Sequence, residues 1–124
     1  MSDFKKLVGE YKAMVEAGKY IEVIDRFYAD DIVQRENSDA ETRGKETLKN
    51  NEVGNLEQTK SVETKIITLV ADTETGNVMG EMDIMIDNGD GTRTRLEEAF
   101  SQRWKNGQIV YQRYYWHSFQ KIEK

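Results

Sequence analysis

The sequence predicts one α+β domain, residues 1-124, in which three N-terminal helices pack on a strongly curved antiparallel sheet shaped as a cone-like barrel. Two observations carry this. Apolar residues recur at helical spacings of three and four through the first half of the chain. Long alternating segments divided by glycine-bearing turns fill the second half. Helices grouped first and strands grouped last are the order of α+β proteins, and 124 residues suit a single domain.

The first helix is read from Phe4, Leu7, Val8, Tyr11, Met14 and Val15, which form one stripe, with Asp3 or Ser2 placed to cap it. Gly18 breaks that pattern. Tyr20, Val23, Ile24 and Phe27 then make a second short stripe that should end in a turn at Ala29-Asp30-Asp31. Ile32 to Glu36 can run as a short first strand, with Ile32, Gln34 and Glu36 on one face. From Gly44 to about Gln58 helix formers dominate, with Leu48, Val53 and Leu56 available to bury against a sheet edge.

A four-strand meander follows: Val62 to Ala71, Val78 to Ile86, Thr94 to Trp104 and Ile109 to Phe119. The strongest turn signal is Asn106-Gly107, because a type I′ hairpin needs positive φ at both central residues. Strands of this length coil strongly, and a curled sheet with helices across its mouth leaves a concave site of the kind that binds small molecules.

Composition excludes several function classes. A formal net charge of -5 with scattered basic residues leaves no electrostatic footprint for nucleic acid or an anionic membrane. With no cysteine and a single histidine, His117, the chain lacks a thiol nucleophile, a disulfide and a two-histidine metal site. No metal or cofactor is expected. No apolar run approaches the ~20 residues that cross a bilayer, and the N-terminal stretch lacks the apolar core of a signal peptide, so a cytoplasmic location is expected. Ile86 to Glu97 resembles a calcium loop, but Ile86 stands where the first carboxylate ligand belongs, so it reads as a hairpin tip.

Several motifs in order resemble the nuclear transport factor two-like superfamily, and within it the SnoaL-like polyketide cyclase and ketosteroid isomerase branch. They are Tyr11 seven positions before Gly18, the run Phe27-Tyr28-Ala29-Asp30-Asp31, the segment Arg43-Gly44-Lys45-Glu46, and Trp104-Lys105-Asn106-Gly107-Gln108-Ile109-Val110 with Arg113 and Tyr115 after it. The resemblance implies a conical α+β barrel with a deep cavity and a homodimer packed sheet to sheet. It places Tyr11 as an oxyanion donor and Glu36 as the carboxylate that moves a proton. Where the isomerases carry a protonated acid, this chain has Phe100, which argues against steroid-type isomerisation.

Counting alternation from Phe100 turns Glu98, Phe100, Gln102 and Trp104 inward on one strand and Gln112, Tyr114 and Trp116 on the next. Gly80, Met82, Ile84 and Ile86 make an apolar wall. With Phe27, Ile32 and Gln34 these are the expected lining of a pocket for a small, mostly apolar ligand. Tyr111, Arg113, Tyr115 and His117 fall on the outer face, a candidate dimer surface.

Two readings of Glu36 and Tyr11 stay open. Glu36 acts as a base if burial raises its pKa, or is a solvated strand-end charge. Tyr11 donates to substrate, or is a core residue whose hydroxyl finds a protein partner. Two functions follow: a cofactor-independent isomerase or cyclase, and a non-catalytic dimeric module that binds a ligand or a protein.

Overall fold

The computed structural model describes residues 3–117 and the backbone of 120–123. Helix α1 spans Asp3–Glu16 and buries Val8, Tyr11 and Val15 from the expected stripe. Asp3 lies inside its first turn rather than capping it, where a negative charge suits the helix N-terminus. Ser2 lies outside the described residues. Gly18 adopts φ 78 and turns the chain into α2, Tyr20–Phe27, which buries Val23, Ile24 and Phe27.

The turn expected at Ala29-Asp30-Asp31 does not form. Strand β1, Tyr28–Glu36, starts directly at the end of α2, where the Tyr28 N–H still bonds to the Ile24 carbonyl. The reason is a register shift between Tyr28 and Val33. It lets Tyr28, Ala29 and Ile32 all be buried while both aspartates face solvent, so the acidic pair marks an irregularity inside a strand. A two-residue strand β2, Thr42–Arg43, pairs with β1, and α3, Lys45–Glu57, follows. Leu48 is buried in α3, whereas Val53, expected to be buried, is 37% exposed.

The meander comprises β3 Ser61–Ala71, β4 Asn77–Asp87, β5 Thr92–Lys105 and β6 Gln108–Tyr115, with a short β7 Gln120–Glu123. The fourth meander strand thus ends before Trp116, and its expected end at Phe119 lies outside the described residues. Asn106 and Gly107 have φ of 53 and 77, as the hairpin between β5 and β6 requires. The sheet runs β2-β1-β6-β5-β4-β3, with β7 alongside the first part of β5. The pairing of β1 with β6 is parallel. The edges β2 and β3 do not pair with each other, so the cone is open where a barrel would close.

The helices cover the inner face of the sheet. Trp104 lies at the centre, edge-on to Phe4, Tyr11 and Phe27 with ring centroids 5.8, 5.6 and 5.6 Å away, the geometry that aromatic quadrupoles favour. Phe100 is equally enclosed, and its ring occupies the space a side chain at residue 80 would need. A Cβ on Gly80 would lie 2.3 Å from the Thr68 carbonyl oxygen and 2.7 Å from Phe100 Cζ. Gly80→Ala should therefore lower the unfolding free energy by about 1–3 kcal/mol, the usual penalty of overpacking, in urea denaturation. An unchanged midpoint would mean that the strands separate there at no cost.

Candidate functional site

Strand register arranges the inner face in rows. Val78, Gln102, Gln112 and Gln34 stand opposite one another across β4, β5, β6 and β1. The next row is Gly80, Phe100, Tyr114 and Glu36, and beyond it Met82 faces Glu98. Each row exists because residues two apart on a strand share a face.

The glutamine row forms a hydrogen-bonded ladder inside the core. Trp104 Nε1 donates to Gln102 Oε1 at 3.0 Å, and Gln102 Nε2 donates to the Tyr11 hydroxyl at 2.9 Å and to Gln112 Oε1 at 3.3 Å. Gln112 Nε2 in turn donates to the Tyr28 hydroxyl at 2.8 Å and to Gln34 Oε1 at 2.6 Å, while Tyr114 donates to Gln112 Oε1 at 3.2 Å. Gln102 and Gln112 are 1% and 0% exposed. Buried amides of this kind are tolerated only when their donors and acceptors are matched. Tyr11 and Tyr28 accept from the ladder, which leaves each hydroxyl hydrogen to point elsewhere. Burial pushes the pKa of both hydroxyls up, so they remain protonated donors.

The ladder ends at a cavity of about 600 Å³ between α3 and the far end of β1. Its walls include Tyr28, Gln34 and Glu36 from β1, Asp39 from the following loop, Thr42 from β2, and Leu48, Asn51, Glu52 and Asn55 from α3. The acidic groups there are Glu36, Asp39 and Glu52, and among the described residues no lysine or arginine lines the space. Glu98, 9% exposed, receives no hydrogen bond from any described residue. Burial, and then the like charges of Glu36 and Glu52, push its carboxyl from the ordinary 4.5 up to about 7. Glu52 is raised by burial and by Glu36, and Glu36 by burial and by Asp39. Among the described residues no group of three side chains is arranged to hold a metal ion.

No family model matches the chain, and no curated protein matches it in sequence. Solved structures match its shape. A candidate SnoaL-like polyketide cyclase from Jannaschia sp. superposes with a TM-score of 0.76 at 12% identity, over 94% of this chain and 89% of that one. A LEH-like epoxide hydrolase from M. tuberculosis gives 0.72 at 18% identity, over 90% and 80%. An NTF2-like protein of unknown function from Exiguobacterium sp. gives 0.72 at 14%, over 90% and 98%. The chain has the nuclear transport factor 2-like fold.

Within this fold the expected site residues separate into two groups. Gln34 and Glu36 line the cavity, Glu36 at its exposed rim rather than in an apolar pocket. Phe27, Ile32, Met82, Phe100, Gln102, Trp104 and Gln112 are buried in the core instead, with Ile84 and Tyr114 packed against it. Trp116 stands just past β6, its backbone N–H bonded to Asn37 Oδ1. The cavity walls are polar where an apolar cone was expected, because the helices and rings fill the deep end and leave the amide-rich mouth. Tyr11 is a core residue whose hydroxyl has a protein partner.

Glu52 was not anticipated, although the pattern contained it. It follows Leu48 and precedes Leu56 at intervals of four, which places an acid on the buried stripe of α3.

The carboxyl of Glu98 makes stability depend on pH. Between 4.5 and about 7 the folded carboxyl keeps its proton while the unfolded one loses it, so stability falls as pH rises through that window. Glu98→Gln should raise the unfolding free energy by about 2–3 kcal/mol at about pH 8 and change it little at about pH 4. Urea denaturation at both pH values checks this, and a pH-independent difference would show an ordinary carboxyl.

Proposed function

We propose that the chain is a small-molecule pocket protein in which the polar cavity holds its ligand and the acid cluster of Glu36 and Glu52 on its wall, with the buried Glu98 near them, transfers a proton without a cofactor. The observation that carries this is the buried carboxyl of Glu98, left without a donor and set among Glu36 and Glu52. A carboxyl that titrates near neutrality is the effective form of an acid–base catalyst at physiological pH. Tyr11, enclosed in the core, does not reach the cavity, and Glu36 at the rim shares the negative charge. Solved structures described as a candidate SnoaL-like polyketide cyclase and a LEH-like epoxide hydrolase share this fold. At 12% and 18% identity those neighbours support the scaffold and leave the substrate open.

Carbon-13 NMR titration of side-chain-labelled glutamates tests the reading. Glu98 should titrate near 7 and Glu36 above its ordinary value. Ordinary midpoints for both would remove the chemical argument.

A second reading, a dimer through the outer sheet face, is favoured by that face's composition. Val70 and Met79 stand opposite each other and are 63% and 59% exposed. Tyr115, 43% exposed, lies beneath the guanidinium of Arg113 at 4.7 Å, and Tyr111 beneath that of Arg103 at 5.4 Å. Tyrosine, methionine and arginine are enriched in interfaces. Sedimentation should give a dimer that Met79→Asp dissociates, and a monomeric native chain would dismiss this interface.

A further inference from the structure

The glutamine ladder has a direction, and one member alone is chemically able to set it. Each amide can turn over, exchanging its donor end for its acceptor end, and each tyrosine hydroxyl can donate or accept. An indole N–H can only donate. Trp104 is 4% exposed and held by three neighbouring rings, so its N–H cannot swing to another partner.

The consequences pass along the ladder one bond at a time. The indole bond makes the near atom of Gln102 its oxygen, which turns Gln102 Nε2 toward Tyr11 and Gln112. A donor there requires the facing atom of Gln112 to be its oxygen, so Gln112 Nε2 faces Tyr28 and Gln34. The facing atom of Gln34 is then its oxygen. What remains for the cavity wall is Gln34 Nε2, which meets no acceptor among the described residues.

We propose that Trp104 is a positioning residue: through the Gln102 and Gln112 amides it holds the Gln34 N–H groups toward the cavity as hydrogen-bond donors. The matching occupant carries a carbonyl or hydroxyl oxygen at that point, with its own donors toward Glu36 and Glu52. The occupant's chemistry rests on the cavity being a ligand site, whereas the amide directions do not. Tyr114 and Tyr28 touch the same ladder but cannot replace the indole, because their hydroxyls follow whichever way the amides run.

The test replaces the Trp104 indole by benzothienylalanine, which keeps the ring shape and exchanges the N–H for sulfur, and by 5-fluorotryptophan, which keeps the N–H. Side-chain amide protons are followed by NMR in protein labelled with nitrogen-15 glutamine. With tryptophan or fluorotryptophan, the Gln34 amide protons should exchange with water freely while those of Gln102 and Gln112 are protected. The sulfur isostere lets the ladder run either way. A second, protected set of Gln34 resonances should then appear, or the averaged exchange should slow roughly twofold, as for an even mixture of two orientations.

Unchanged Gln34 exchange in the isostere would overturn the proposal, as would equal changes in the fluorotryptophan protein, which would mark a packing effect. The Glu98 titration is a separate measurement. Ordinary Glu98 behaviour with a Trp104-dependent Gln34 would remove the acid–base reading and leave the ladder, and the reverse would remove the ladder alone.

Discussion

The glutamine ladder is the constraint around which the interior is organised. Two amides in a dry core, Gln102 and Gln112, are destabilising unless their donors and acceptors find partners, and here those partners come from α1, β1, β5 and β6. The bonds join residues 78, 84 and 91 positions apart in sequence. A slip of one residue between any two of these strands would turn a glutamine outward and strand its neighbours without partners. Apolar packing alone would tolerate several registers. The ladder makes one of them decisively better, and that register is the one that brings Gln34 and Glu36 to the mouth of the cone.

A second consequence concerns charge. The same register puts Glu36 beside Tyr114 and leaves Glu98 one row beyond, enclosed enough to hold its carboxyl up to about 7. Burial and like-charge repulsion act in the same sense on Glu36, Glu52 and Glu98, although burial is the larger influence on Glu98. A fold selected only for stability would replace such a group by an apolar one of similar volume. Glu36 and Glu52 on the cavity wall, with Glu98 buried near them and no basic side chain among the described residues of that wall, place strain where chemistry or ligand capture can use it.

Legibility in the sequence followed the range of the interaction. The stripe of α1, the alternation of β5 and the Asn106-Gly107 turn depend on neighbours a few residues away, and each was readable. Glu98, Gln102 and Gln112 were correctly turned inward by period-two counting. The acidic run at Asp30-Asp31 was misread because a strand irregularity and a turn expose adjacent polar residues alike. For Glu36 the sequence leaves a buried base and a solvated strand-end charge both open, because its exposure depends on where α3 stops covering the sheet end. Phe27, Phe100 and Trp104 were placed in a pocket wall because inward direction was known and the depth of filling was not.

By itself the sequence determined the elements, their order and the face each side chain takes, because helical and strand periods are local properties of the backbone. Tertiary structure decided which inward residues meet one another and which meet open space. The parallel pairing of β1 with β6, between strands distant in the chain, aligns Gln34 with Gln112 and Glu36 with Tyr114. Only after that alignment does a set of scattered amides become a directed ladder, and a set of scattered glutamates become a shared charge around one cavity.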